Sequence, residues 1–252
     1  MKCSHSLSST LDFALELARG AGDVVMRYFR NQPSTERKPD GSFVTAADRA
    51  SESFLRDRIL AAHPHDGVLG EEFGEQSGST GRRWIVDPID GTFSFVCGVP
   101  LFGILIGVEI DGEPSVGVAH FPALGETIGA ARGLGCALNG SPVHTTSTHA
   151  LGEAVIAATE PLSAEALVRR ARAVRGWSDS YAYLLVASGR VDVAFDPEAK
   201  EWDCAALLPI VEEAGGTFTD WNGVRTTRGG NALATNGPLF AEVLPYLRTT
   251  PM

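Results

Sequence analysis

WIVDPIDGT, residues 84–92, is the stretch on which the reading of the whole chain depends. Trp84, Ile85 and Val86 form a short apolar run that leads into two carboxylates, Asp87 and Asp90, and then into Gly91-Thr92. A run of this kind, closed by turn residues, predicts a buried strand whose carboxyl end opens into a loop. Asp87 precedes Pro88, and a residue before proline is pushed out of the α region, so Asp87 is expected to stay extended. Both carboxylates and the carbonyls between them can then converge on one point, a set of oxygen donors suited to a hard cation. Gly91 and Thr92 present backbone N–H groups where the next turn or helix begins, a place that receives a phosphate oxygen. An Asx-capped turn with no ligand uses the same residues, so the motif has to be weighed with the rest of the chain.

The chain has 252 residues, enough for a substantial core, and its 44% hydrophobic and 21% charged residues are those of an ordinary globular protein. A formal net charge of -10, with no run of lysine or arginine against it, argues against a nucleic-acid partner. Carboxylates gathered around divalent metal would account for part of that surplus. Cys3, Cys97, Cys136 and Cys204 lack CxxC spacing, which points to neither a zinc site nor a disulfide framework and favours a reducing cytoplasm. The opening MKCSHSLSST has no apolar signal-like core, and no apolar span reaches membrane length. A cytoplasmic protein without a membrane partner is expected.

Working outward, Thr10 is the expected cap of a first helix running to about Arg30, with Leu11, Leu15, Ala18, Val25 and Phe29 near helical period. Gly20 and Gly22 interrupt it and mark either a close helix crossing or simple tolerance. A polar loop, NQPSTERKPDGS, follows with a PDG turn. Thr45 is the expected cap of a second helix, in which Phe54, Leu55, Ile59 and Leu60 form the buried stripe and Asp48 falls in the first turn. GVLGEEFGE, residues 67–75, reads as a strand running into a Gly-flanked acid pair. Beyond the DPIDGT turn, LFGILIGVEIDGEPSVGVAHFP reads as a hairpin about Asp111-Gly112, and two further strand segments meet near Asn139-Gly140. From about Gly152 the pattern becomes strand AVIAAT, helix SAEALVRRARAV, helix DSYAYLLVASGR with Gly189 at its end, and strand VDVAFDP. A long helix over EWDCAALLPIVEEAGG, then strand, strand and helix close the chain. The change of pattern predicts two lobes, an α+β lobe over residues 1–150 and an α/β lobe over 151–252, with a cleft between them.

Asp48, Glu71, Asp87 with Asp90, and Asp203 each stand at the end of a predicted element, where functional groups collect. Singly, a helix cap or a solvated turn explains each of them. Their combined order resembles the inositol monophosphatase family: VTAAD at 44–48, GEE at 70–72, DPIDGT at 87–92 and WDCAALLPIVEEAGG at 202–216 stand in family order and together span most of the chain. The resemblance implies a layered αβαβα sandwich, an α+β fold of the sugar-phosphatase type, commonly dimeric. It also implies a lithium-sensitive, metal-dependent phosphomonoesterase. It places Glu71, Asp87, the carbonyl of Ile89, Asp90 and Asp203 on the ligands of two or three Mg2+ ions. Asp48 and Thr92, with Glu71 beside them, fall on the groups that orient and activate the attacking water, and the N–H groups of Gly91 and Thr92 fall on the phosphate-binding turn. One departure is that Phe73 follows the Glu71-Glu72 pair where many members have serine.

The segment 175–203 bears on the substrate. Trp177, Asp179 and Tyr181 stand where inositol-specific members open this helix with small residues, and WSDSYAY resembles the histidinol-phosphatase branch. Asp179, Asp196 and Glu198 are the candidates to meet the ammonium and imidazole of L-histidinol phosphate. An inositol, cyclitol or sugar phosphate is the alternative, because acids also bind hydroxyls. A non-catalytic phosphate-ligand binding protein would be expected to have a broken acid set, and here the set is complete.

Overall fold

The computed structural model describes residues 6–31, 34–39 and 41–248. Gln32 and Pro33 of the polar loop, Asp40 of its PDG turn, and Cys3 lie outside the described residues. Helix α1 (Leu7–Met26) starts earlier than expected, because Ser6 accepts the Ser9 N–H as the cap. Thr10 is buried inside the helix with its hydroxyl on the Ser6 carbonyl. Its buried face runs through Ala14, Leu17, Ala18, Ala21 and Val25, leaving Leu11 and Leu15 half-buried. The helix stops at Met26, and Arg30 has a left-handed φ of 61°. Gly20 marks the close crossing: a Cβ there would lie 2.6 Å from the Phe54 ring of the next helix.

Strands β1 (Thr35–Arg37) and β2 (Phe43–Thr45) form a small hairpin that delivers the chain to α2 (Ala46–Ala62). Thr45 caps α2 as expected, and the Asp48 carboxylate returns a bond to the Thr45 N–H. Next come β3 (Gly67–Gly70), β4 (Gly74–Gln76), β5 (Arg82–Asp90), the single turn α3 (Thr92–Val96), and the meander β6 (Gly103–Ile110), β7 (Glu113–Phe121), β8 (Glu126–Ala131), β9 (Gly135–Leu138) and β10 (Ser141–Pro142). These make one eight-stranded sheet in the order β10-β9-β8-β7-β6-β5-β3-β4, antiparallel except where β3 and β5 run together. A second sheet is built from β11 (Val155–Ala158), β12 (Ala173–Arg175), β13 (Val193–Asp196), β14 (Thr217–Thr219) and β15 (Ala232–Thr235), with α4 (Glu165–Val168), α5 (Asp179–Ala187), α6 (Glu201–Cys204), α7 (Leu207–Glu213) and α8 (Phe240–Arg248) between and outside its strands.

Two predicted helices are corrected. Over residues 163–174 only α4 is α-helical, and Ala173–Arg175 instead pairs in parallel with β11 as an edge strand. Sheet pairing there overrides the helix-forming alanines and arginines. The long helix over 201–216 is broken into α6 and α7. Pro209 is the reason: it has no N–H for the carbonyl four residues back, and its ring would clash there, so the chain kinks at Ala205-Ala206. The kink nestles into the first sheet. A Cβ on Gly107 would lie 2.6 Å from Ala205, and one on Gly117 would lie 2.0 Å from the Ala206 carbonyl oxygen.

The layers follow from strands that are apolar on both faces. Trp84 and Val86 of β5, Ile104, Ile106 and Val108 of β6, and Val116 and Val118 of β7 pack with α1 and α2 on one side. Leu105, Ala119 and Phe121 point the other way, into a core shared with α5, α7 and the inner face of the second sheet. Ile156, Val193, Phe195 and Leu233 close the outer face of that sheet against α8. The result is the expected αβαβα sandwich. Among the described residues no helix is long and apolar enough to cross a membrane.

Candidate active site

The carboxyl end of β5 is bent by a bulge. Asp87 pairs with Leu105 and Asp90 with Gly103, so Pro88 and Ile89 together face the single residue Ile104. Residues three apart on a regular strand point to opposite faces, and the extra residue turns Asp90 back to the side of Asp87. Pro88 suits this position because it has no N–H to leave unpaired, and its carbonyl accepts the Ser51 hydroxyl at 3.2 Å. The Asp87 carboxylate is fixed by the Ile89 N–H at 3.0 Å. Gly91 then takes φ 78°, a left-handed conformation that sets the chain into α3; a Cβ there would lie 2.9 Å from the Leu101 carbonyl oxygen.

Asp203 comes to the same place from α6. Its Oδ2 accepts the Lys200 N–H at 2.6 Å, which closes the first turn of α6. The Ala205 contact with Ile85 and Leu69 docks the helix on the first sheet. Carboxylate oxygens of Asp87, Asp90 and Asp203 lie within 4.8 Å of one another. Asp48 reaches the site from α2. Its Oδ2 is held by the Thr45 N–H and hydroxyl, both at 2.7 Å, and its Oδ1 faces the Thr92 hydroxyl at 3.3 Å. The same Thr92 hydroxyl donates to the Ile89 carbonyl at 2.9 Å.

Glu71 stands beside this group and is not one of the three converging acids. It pairs with Lys38 Nζ at 2.6 Å, and Lys38 also holds Glu72 at 2.7 Å. Lys38 was not foreseen, because a lysine in a polar loop carries no signal of where it will reach. Ser180 was missed for a different reason: it contributes a backbone N–H, bonded to Asp90 Oδ2 at 2.7 Å, and backbone groups leave no mark on composition.

Asp179 opens α5 with φ 55°, and its N–H donates to the Thr159 hydroxyl at 3.0 Å. Its carboxylate is not spent on capping. It accepts the Ser178 hydroxyl at 2.9 Å and faces Gly91, where a Cβ would lie 3.1 Å from Oδ2. Asp196, at the end of β13, accepts the Tyr183 hydroxyl at 2.9 Å. A cavity of about 100 Å³ joins Asp90, Asp179, Ser180, Tyr183, Asp196 and Asp203, with Glu198 exposed at its rim. The buried Ser180 hydroxyl in its wall has no hydrogen-bond partner among the described residues.

Burial and crowding of like charge raise nearly every acid here. Burial pushes Asp87 well above the usual carboxylate range, and the charges of Glu71, Asp90 and Asp203 push the same way. Asp90 is likewise raised by burial and then by Asp179 and Asp203. Burial takes Asp203 to about 6 against the Lys200 N–H, and Glu71 to about 7 against its Lys38 contact. Asp196 is lifted to about 7 by burial although the Thr159 and Tyr183 hydroxyls hold it down. No ion pair relieves Asp87, Asp90 or Asp203 among the described residues. The donors gathered here are carboxylate and carbonyl oxygens without sulfur or imidazole, so the cluster fits a hard divalent cation of the magnesium kind.

The comparisons with known proteins agree with this geometry. The model of the family described as the inositol monophosphatase family matches residues 6–249. A histidinol-phosphatase of Chlorobaculum parvum is 45% identical over 237 residues, covering 90% of this chain and 92% of that protein. A histidinol-phosphatase of Mycobacterium tuberculosis is 43% identical over 252 residues, covering 94% and 97%. Among solved structures, a Thermotoga maritima IMPase superposes with a TM-score of 0.88 at 32% identity, over 96% of this chain and 97% of that one.

Proposed function

Because the chain belongs to the inositol monophosphatase family, and is therefore a phosphoric monoester hydrolase, we propose that it hydrolyses L-histidinol phosphate to L-histidinol and phosphate with the help of magnesium. The observation that carries this reading is the acid-lined cavity running from Asp90 to Asp196. A substrate with a phosphate at one end and an ammonium and an imidazole at the other would find a cation site and then two further acids along that line. The names of the two relatives at 45% and 43% identity support the same substrate.

Asp87, Asp90, Asp203, Glu71 and the Ile89 carbonyl are the groups that would hold magnesium. Bound there, magnesium supplies charge for the phosphoryl oxygens and lowers the pKa of coordinated water. The remaining work falls to the chain. Asp48, raised from its ordinary value chiefly by burial, is a stronger base than a surface carboxylate. Its Oδ1, with the Thr92 hydroxyl beside it, takes the proton of the water that attacks phosphorus as the ester P–O bond breaks. The leaving oxygen keeps the bonding pair and is protonated by solvent to give the alcohol. The N–H groups of Gly91 and Thr92, at the start of α3 where helical donors have no intrahelical acceptor, receive a phosphoryl oxygen. Asp179 and Asp196 pair with the cationic end of the substrate, and Glu198 guards the rim.

An inositol, cyclitol or sugar phosphate is the second reading, favoured by the Thr159 and Tyr183 hydroxyls in the same cavity. Two or three magnesium ions, inhibition by lithium, a homodimer and the division into lobes at residue 150 belong to the same proposal. Metal titration, a lithium series and light scattering address the first three. The deciding experiment is phosphate release from L-histidinol phosphate, myo-inositol 1-phosphate, fructose 1,6-bisphosphate and adenosine 3′,5′-bisphosphate, with magnesium, with EDTA, and with Asp90→Asn. Magnesium-dependent preference for histidinol phosphate, lost in the variant, is expected. Turnover of inositol or sugar phosphates alone would replace the substrate and keep the chemistry, and full turnover in EDTA would overturn the metal.

A further inference from the structure

The turn that carries Glu71 is held by a residue outside the acid cluster. Glu52 lies on α2 one turn after Asp48, on the same helix face, and is fully buried. Its carboxylate accepts two successive backbone N–H groups of that turn, Glu72 on Oε2 at 2.6 Å and Phe73 on Oε1 at 3.1 Å. Arg56 Nε donates to Oε1 at 2.7 Å, and the same guanidinium bonds the Gly74 carbonyl. Phe73 covers the assembly, with its ring 6.0 Å from the Arg56 guanidinium carbon. Gly70 completes the fit: a Cβ there would fall 2.0 Å from Glu52 Oε1.

Two features separate this from an ordinary buried ion pair. Both carboxylate oxygens are committed to the backbone on the C-terminal side of Glu71, so the direction in which the turn presents Glu71 depends on them. The helix that supplies Glu52 also supplies Asp48, so α2 sets the distance between the Glu71 turn and the Asp48–Thr92 pair.

We propose that Glu52 is a positioning residue that orients the Gly70–Phe73 turn, and through it Glu71, and so tunes the affinity of the acid cluster for its divalent cation. The inference rests on the reading of Glu71 as a metal ligand. Groups that orient ligands in this way change metal affinity when removed, while leaving the chemistry at full occupancy less affected.

The test uses Mn2+ as the probe, titrated into the full-length protein and followed by its electron spin resonance signal. The magnesium concentration for half-maximal phosphate release and the kcat at saturating magnesium are measured alongside. Glu52→Gln is expected to weaken Mn2+ binding about 10- to 100-fold and to raise the magnesium requirement in parallel, with a smaller fall in kcat. Glu52→Asp, which keeps the charge, is expected to lie between that variant and the unaltered protein. Glu71→Gln serves as the reference. If it binds Mn2+ as tightly as the unaltered protein, Glu71 is no ligand and the reading beneath this inference fails. If it binds weakly while folded Glu52→Gln binds normally, the reading survives and the role of Glu52 is refuted. Should Glu52→Gln not fold, Arg56→Gln removes the ion pair and the Gly74 contact while leaving the Glu52 carboxylate. A several-fold weakening then supports the proposal, and unchanged affinity overturns it.

Discussion

Ser180 donates its backbone N–H to Asp90 Oδ2 across 2.7 Å, tying the first turn of α5 to the bulged end of β5. The residue before it, Asp179, is thereby held beside the acid cluster, and its charge helps to keep the Asp90 pKa high after burial. Asp179→Asn is expected to fold, since asparagine tolerates the left-handed φ of 55° at this position. The KM for L-histidinol phosphate should rise about 10- to 100-fold with the loss of a charge-assisted contact. Removing that charge also lowers the Asp90 pKa, so the acid limb of the pH–rate profile should move to lower pH. An unchanged KM would remove Asp179 from substrate recognition.

Asp90→Asn tests the cost of assembling the cluster. The variant is expected to lose at least about 100-fold in kcat/KM. In EDTA it should nevertheless melt higher than the unaltered protein, by about 2–4 °C for each kcal/mol of repulsion relieved. Calorimetry beside phosphate release reads both effects. A lower melting temperature in EDTA would show that Asp90 is structural first.

The raised carboxyls also set a pH dependence. Burial takes Glu71 and Asp196 to about 7 and Asp203 to about 6, all above their unfolded values. Acids shifted this way favour the fold while protonated. Their stabilisation is complete below about pH 4 and is lost as pH rises through the folded values. Metal-free protein should therefore lose thermal stability between about pH 4 and pH 7, and excess magnesium should restore it at and above the upper end. Equal melting temperatures with EDTA and with magnesium at pH 8 would contradict the electrostatic account.

Lys38 is the one cation bonded to Glu71 among the described residues, at 2.6 Å. Its pKa is raised because the Glu71 and Glu72 contacts outweigh a burial that would lower it. A lysine there opposes the entry of a second cation. Lys38→Met is expected to lower the magnesium concentration for half-maximal activity about three- to tenfold. An unchanged requirement would place Lys38 outside the competition for Glu71.

The sequence makes the strand, bulge region and turn of residues 84–92 legible because each step there has a local cause: an apolar run, a proline, a glycine. The hairpins about Asp111-Gly112 and Asn139-Gly140, and the Thr45 cap, are legible for the same reason. The first helix is capped at Ser6 and not at Thr10 because the capping oxygen one turn earlier lets Leu7 pack against the core, which is a tertiary gain. The strand at Ala173–Arg175 exists only because β11 lies beside it. Pro209 is a local cause of the break in the predicted long helix, but the kink it makes is stable because Gly107 and Gly117, about a hundred residues earlier, leave room for two carbonyls. In the site, the acids announce themselves by position, whereas Glu52, Lys38 and the Ser180 N–H act through distances that only the fold creates.

The converging acids at 87, 90 and 203 come from opposite ends of the chain's synthesis. A nascent polypeptide that has completed the eight-stranded sheet already carries Asp87 and Asp90, yet it has no Asp203 and no Ser180 to meet them. The proposed cation site is therefore complete only once the second sheet has docked, late in folding and across long sequence separations. On the proposed reading of the cluster as a cation site, an ion held there would latch the two sheets together, and a chain that stops short of Asp203 would lack a complete site.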